Sequence, residues 1–198
     1  MATTHDDRFS HDHYLIRQKV FKLFGEAFHV YDAAGNVVLY SKQKAFRLKE
    51  DLRLYTGDDM RQEVLTIQAR SMLDFRAGYD VYDPVARQKV GTLRRHGFKS
   101  MIRDEWSILD PNENVIAVVR EDSQVLALVR RFIEAASMFM PQKYHMEMNG
   151  QTVVMYKQNF NPFVKKLAVD VIDPQCQIDR RLALAAGILL SAIEGREE

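Results

Sequence analysis

The chain has 198 residues, enough for one domain of ordinary size, and at that length roughly 70% of the unfolded surface can be buried without disulfides or metals. Apolar residues make up 46% and charged residues 28%, which excludes wholesale disorder. A net charge of +1, from 28 basic and 27 acidic residues, argues against a dedicated nucleic-acid binder, and the single Cys176 excludes a disulfide framework and fits a reducing compartment.

Residues 1–13 are polar and without periodicity, so they read as a flexible tail ahead of one domain over 14–198. They carry no charged-then-apolar export pattern, which points to a cytoplasmic protein. His5, His11 and His13, beside Asp6, Asp7 and Asp12, offer imidazoles two residues apart in that tail. Such a site is weak and unselective, and no metal is assigned to it.

From Tyr14 onward the apolar period is close to two. Leu65, Ile67 and Ala69 alternate with Thr66 and Gln68; Tyr144, Met146 and Met148 with His145 and Glu147; Leu167, Val169 and Val171 with Ala168 and Asp170. This pattern marks strands with two unlike faces, and Trp106 on one of them is expected in the core. Turn chemistry recurs at Asp32–Val37, Asp83–Val90 and Asp110–Val115, and Asn149-Gly150 suits a two-residue hairpin. The chain is thus a long meander of hairpins, and a sheet of ten or more strands is expected to close into a barrel.

Two segments depart from that period. Ser123–Ala136 places Val125, Leu128, Val129, Phe132 and Ile133 opposite Arg130 and Arg131, an amphipathic surface helix stopped by Pro141. Asp179–Glu194 is different: Asp179 is a candidate N-cap, and Leu182, Leu184, Ile188, Leu189, Leu190 and Ile193 surround the axis, with Ala183, Ala185, Ala186, Gly187 and Ala192 between them. A helix apolar on every side is buried on every side, and the interior of a barrel is the place for it. Its twelve uncharged residues would span about 18 Å, against roughly 30 Å of bilayer hydrocarbon, so no transmembrane segment is expected.

No phosphate-cradling glycine motif, nucleophile elbow, zinc-protease pair or C-x-x-C pair is present, which lowers the expectation of an enzyme. No local sequence activates Cys176, although His29 or His145 could approach it in space. Basic residues occur in clusters: Arg94, Arg95, His96 and Lys99; Lys165 and Lys166; Arg130 and Arg131; Arg180 and Arg181. Arg94, Arg95, Lys99, Lys165 and Lys166 are the candidate contacts for anionic lipid headgroups, each charge worth about 1 kcal/mol near such a surface.

The order of these features resembles the LURP-one-related family, within the tubby C-terminal-like and phospholipid scramblase-like superfamily. The resemblance runs from Tyr14 to Ile193. It rests on Ile16-Arg-Gln-Lys-Val-Phe-Lys-Leu, Phe28-His-Val-Tyr-Asp-Ala-Ala-Gly-Asn-Val, Phe75-Arg-Ala-Gly-Tyr-Asp-Val-Tyr and, above all, Asp179-Arg-Arg-Leu-Ala-Leu-Ala-Ala-Gly-Ile-Leu-Leu-Ser-Ala-Ile. It implies a mainly β fold, a closed antiparallel barrel of twelve strands around a hydrophobic C-terminal helix. In that helix Leu182, Leu184, Gly187, Ile188, Leu189 and Ile193 fill the interior. Tubby-like members bind phosphoinositides through basic residues, but no basic motif here aligns with theirs residue by residue. The calcium segment of scramblase-like members falls at Asp170–Asp179, whose carboxylates lack a recognisable loop spacing, and no calcium is assigned. The expected function is a non-enzymatic cytoplasmic binding domain without cofactor or metal. The alternative is a peripheral membrane protein reading anionic phospholipids. The expected partner is an anionic membrane lipid or a protein, not nucleic acid, with the oligomeric state open.

Overall fold

The computed structural model describes residues 6–21, 25–43, 51–71, 78–96, 105–122, 142–159 and 164–193, with side chains for all of these except 20, 21, 25, 26, 43 and 193. Twelve strands run through them: β1 (His13–Phe21), β2 (Gly25–Tyr31), β3 (Val37–Gln43), β4 (Leu52–Tyr55), β5 (Glu63–Ala69), β6 (Tyr79–Asp83), β7 (Gln88–Arg95), β8 (Glu105–Leu109), β9 (Val115–Glu121), β10 (Lys143–Met148), β11 (Gln151–Asn159) and β12 (Lys165–Val171). Each pairs antiparallel with its neighbours in sequence, and β1 pairs with β12, with Tyr14 opposite Val169. Closure removes the open edges that an extended meander would expose. The helix α1 (Arg180–Ile193) follows β12 and lies inside the barrel. The surface helix expected over Ser123–Ala136 falls outside the described residues.

The turns are built by the residues singled out in the sequence. The Asp32 carboxylate accepts from the Asn36 backbone N–H at 2.8 Å and from its side-chain amide at 3.0 Å, while Gly35 supplies φ +85°. Asp110 holds Asn114 in the same two ways. There the left-handed position is taken by Glu113 at φ +67°, an uncommon conformation for a residue with a side chain. Its carboxylate is used elsewhere, as described below. Asn149 and Gly150 both have positive φ, as a type I′ turn requires.

The helix is capped and sealed at its entrance. Asp179 accepts from the Arg181 backbone N–H at 2.9 Å, and Arg181 bridges Asp179 and, at 2.6 Å, Asp83 at the end of β6. Arg180 reaches Asp12 at 3.1 Å. Two cations at a helix N-terminus oppose the macrodipole, and these carboxylates neutralise them. Beyond the cap, Leu182, Leu184, Ile188 and Leu189 are buried on every side of the axis, together with the intervening alanines. Tyr156 on β11 donates its hydroxyl hydrogen to the Ala183 carbonyl at 3.0 Å, and burial pushes its phenol far up. Gly91 and Gly187 let wall and helix touch: a Cβ at Gly187 would sit 2.8 Å from Ile16 Cδ1, and one at Gly91 3.0 Å from Leu182 Cδ2. Trp106 is in the core, as expected. The backbone of Ile193 ends the helix.

One expectation changes. Residues 6–13, assigned to the flexible tail, lie against the barrel. Asp6 caps a 3₁₀ turn over Asp7–Phe9, Phe9 is buried, and the Tyr14 hydroxyl donates to the Arg8 carbonyl. The Asp12 carbonyl accepts from the Val171 N–H at 2.7 Å, extending the β1–β12 seam by one bond, and His13 belongs to β1 with its ring against Asp170. A lone phenylalanine in a polar stretch has no periodicity, so its docking is a tertiary effect.

Candidate functional site

The interior holds α1 and offers no room for a ligand among the described residues. The cavity at the helix's C-terminal end measures about 10 Å³, enough for one water molecule. It is lined by Tyr144, Gln158, Lys165, Lys166, Leu167, Leu190 and Ser191.

The headgroup candidates do not meet on the outer surface. On a strand, successive side chains take opposite faces, so each doublet is split. Lys165 turns toward the barrel mouth, in register with the buried Gln18, whereas Lys166 faces outward opposite Arg17. Arg94 faces outward and binds Glu113 at 3.1 Å; Arg95 lies over Trp106, 6.0 Å from its ring centroid. Lys99 lies outside the described residues, as do Arg130 and Arg131. In the closed order β12 and β7 are separated by β11, β10, β9 and β8. At about 4.8 Å per strand, that puts Lys166 and Arg94 ~24 Å apart along the wall.

Most outward charge on β5–β10 is already neutralised. Glu113 accepts from Arg70, Lys89 and Arg94, and Asp80 from Arg70 and Thr92, the latter at 2.7 Å. Hydrogen bonds from Arg70 and Lys89 hold the Glu113 carboxyl down at about 2. The left-handed turn at Glu113 delivers that carboxylate to the face of β7. Farther round, Arg120 bridges Glu105 at 2.9 Å and Glu147 at 2.5 Å. Both are structural ion-pair networks.

The opposite wall is different. Reading across the strands through directly paired residues, Lys143 on β10 faces Lys157 on β11, which faces Ala168 on β12. One outward step along, Lys166 faces Arg17 on β1, Arg17 faces His29 on β2, and His29 faces Tyr40 on β3. One step further, Lys19 faces Ala27, which faces Lys42. Lys143, Lys157, Lys166, Arg17, Lys19 and Lys42 thus lie on the outer side of six consecutive strands, about 24 Å from first to last along a curved wall, with Lys157, Lys166, Arg17 and Lys19 on the three central strands β11, β12 and β1. No carboxylate pairs with any of the six among the described residues. Arg17 Nε and His29 Nδ1 are shielded from solvent without a hydrogen-bond partner among those residues. The His29 ring stacks near Tyr31 and packs edge-on against Tyr40, with centroids 4.9 Å apart for the latter pair. Burial pushes the imidazole below its usual value, and the neighbouring Lys19 and Arg17 push it further.

Sequence reasoning that looks for adjacent basic residues misses this wall. The signal was present as Arg17 and Lys19, two positions apart on a strand, where both must point outward because Ile16 is in the core.

The remaining features are quiet. Cys176 is half-buried with the Arg180 guanidinium 3.5 Å from its sulfur. Among the described residues no group of three His, Cys, Asp or Glu is placed to hold a metal ion, and no helix is long and apolar enough to cross a membrane.

A family model described as LURP-one-related matches residues 13–191. A protein from Arabidopsis thaliana, solved by X-ray crystallography, has the same fold at a TM-score of 0.53 and 11% identity, over 96% of each chain. No curated protein matches the sequence.

Proposed function

From the premise that the chain belongs to the LURP-one-related family, we propose that it is a non-catalytic binding domain that docks on an anionic lipid surface through the outer wall of β10–β12 and β1–β3. The observation that carries this reading is the set of six outward cations on that wall without carboxylate partners among the described residues. At about 1 kcal/mol each near an anionic surface, the four on adjacent strands, Lys157, Lys166, Arg17 and Lys19, supply on the order of 4 kcal/mol of attraction. Of the exposed large apolar side chains among the described residues, Met60, Tyr82, Val85 and Val115 lie on other strands and turns, while Val37 opens β3 at the end away from Lys42 and Ile172 follows β12, so this docking is electrostatic rather than insertional.

Vesicle co-sedimentation tests it. Phosphatidylcholine vesicles containing phosphatidylserine should retain the protein at low salt and release it once the Debye length shortens to about 3 Å near 1 M salt. Replacing Lys19, Lys42 and Lys157 together by Glu should abolish retention. Arg94→Gln should leave it intact, because Arg94 is engaged by Glu113. Equal retention on pure phosphatidylcholine, or none on either vesicle, would refute the reading.

A further inference from the structure

Resting on the anion-binding reading of this wall, we infer that Arg17, His29 and Lys166 form a subsite for a phosphomonoester. The three lie side by side on adjacent strands, Lys166 opposite Arg17 and Arg17 opposite His29. Directly opposite residues in antiparallel strands have Cβ atoms about 5 Å apart, which puts Lys166 and His29 about 10 Å apart on either side of Arg17, a span that the long Lys166 and Arg17 side chains close round one small anion. Arg17 Nε and His29 Nδ1 are shielded from water without a partner among the described residues, so an anion meets these side chains at the Arg17 Nη atoms and His29 Nε2, which are not shielded and bind no acceptor there. Tyr31 and Tyr40 flank the imidazole and hold its plane.

The chemistry of the row selects the ligand. A carboxylate brings one charge and two oxygens, which leaves one of the three donor groups unanswered. A phosphomonoester carries a charge of about −1.5 to −2 at neutral pH and three terminal oxygens, one for each group. Arg17 contributes a planar guanidinium fork, Lys166 a point charge, and His29 a ring N–H donor when protonated. A phosphodiester lacks the second charge and one terminal oxygen, so it is the weaker ligand.

Binding is coupled to the protonation of His29. The charged groups bearing on that ring are Arg17 and Lys19 from β1, with Asp58 opposing them; Tyr40 and Lys42 stand on β3, and Tyr31 on its own strand. In the free protein the cations disfavour the imidazolium. A bound dianion reverses that field, so binding raises the His29 pKa and, by reciprocity, affinity rises as pH falls through the histidine range.

The experiment follows the His29 ring signals by NMR while inorganic phosphate replaces chloride at constant ionic strength. The expected result is a saturable displacement of those signals and an upward shift of the His29 titration midpoint. Arg17→Gln and Lys166→Gln should each weaken phosphate binding by about tenfold, which is about 1.4 kcal/mol. Both residues are on the outer face, and unfolding midpoints near wild type check that the variants remain folded. Two vesicle arms identify the source of the phosphate. Preference for phosphatidic acid over phosphatidylglycerol at equal surface charge assigns the site to a lipid headgroup. A phosphate response without that preference assigns it to a soluble phosphomonoester, and without any vesicle retention it refutes membrane docking while the subsite stands. A His29 midpoint indifferent to phosphate overturns the subsite, even where phosphatidylserine vesicles still retain the protein through the wall as a whole.

Discussion

Gly187→Ala with Ile16→Val tests whether α1 is packed against the barrel wall as tightly as the geometry demands. Alanine in place of a mid-helix glycine should favour the helix by about 1 kcal/mol. Here the added Cβ would lie 2.8 Å from Ile16 Cδ1 and 3.1 Å from Val169 Cγ2, closer than carbon atoms normally approach. Overpacking of this kind costs about 1–3 kcal/mol, so Gly187→Ala alone should destabilise by up to about 2 kcal/mol. Ile16→Val removes the Cδ1 that obstructs, and by itself costs about 0.5–1.5 kcal/mol through the void it leaves. Together the new methyl occupies the space the old one vacated, and the double variant should be nearly as stable as the parent. Urea or thermal unfolding of the four proteins gives the coupling energy, expected to be at least about 1 kcal/mol, or some 2–4 °C in a domain of this size. Additivity within about 0.3–0.5 kcal/mol would show that helix and wall do not meet at this point, and the interior packing described above would be wrong there.

Two further outcomes follow from the tail and from the Glu113 network. Deleting residues 1–12 should lower the melting temperature by about 5 °C or more: burial of Phe9 alone is worth about 1.5–3 kcal/mol, and Arg180 and the Val171 N–H lose their partners on Asp12. An unchanged melting temperature would mean the segment does not dock. For Glu113→Gln the sign is set by a folded pKa of about 2 lying below the unfolded value near 4.3. The carboxylate's contribution is therefore complete above about pH 4.3 and lost as pH falls toward 2. The variant should be less stable than the parent at neutral pH, by less than about 1 kcal/mol because the group is partly exposed, with the gap closing in acid. A gap that widens as pH falls in urea titrations would contradict this.

What the sequence makes legible is what depends on near neighbours along the chain. Period-two alternation at 65–69, 144–148 and 167–171 marks strands because the pleat is a local property, and Asp32 and Asp110 mark turns because each carboxylate binds backbone within four residues of itself. The all-apolar circumference of 182–190 places α1 inside for the same reason. Phe9 and the charge pattern are different in kind. Whether Phe9 is buried depends on a surface made by distant strands. Whether Arg94 is available depends on Glu113, nineteen residues away, in a turn held at positive φ. The basic doublets misled because adjacent residues on a strand cannot share a face, so a patch on a sheet is written as alternation and continued across strands that the sequence alone does not bring side by side.

The net charge of +1 conceals an uneven distribution, and this bears on how the domain recognises anything. In an up-and-down barrel the turns after β2, β4, β6, β8 and β10 leave from one end, where β12 also hands over to α1. That end carries Asp32, Asp58, Asp59, Asp83, Asp110, Asp173 and Asp179, in part because aspartate is the residue that caps tight turns and helix starts. Acidity there is a by-product of building the hairpins. The cations of β10–β12 and β1–β3 have no such structural duty: they cap nothing and pair with no carboxylate among the described residues. Among the described residues, this wall gathers cations that the hairpins and ion-pair networks do not use. Association governed by such a wall follows the local field rather than the total charge, which is why a near-neutral chain can still dock on an anionic surface in one orientation.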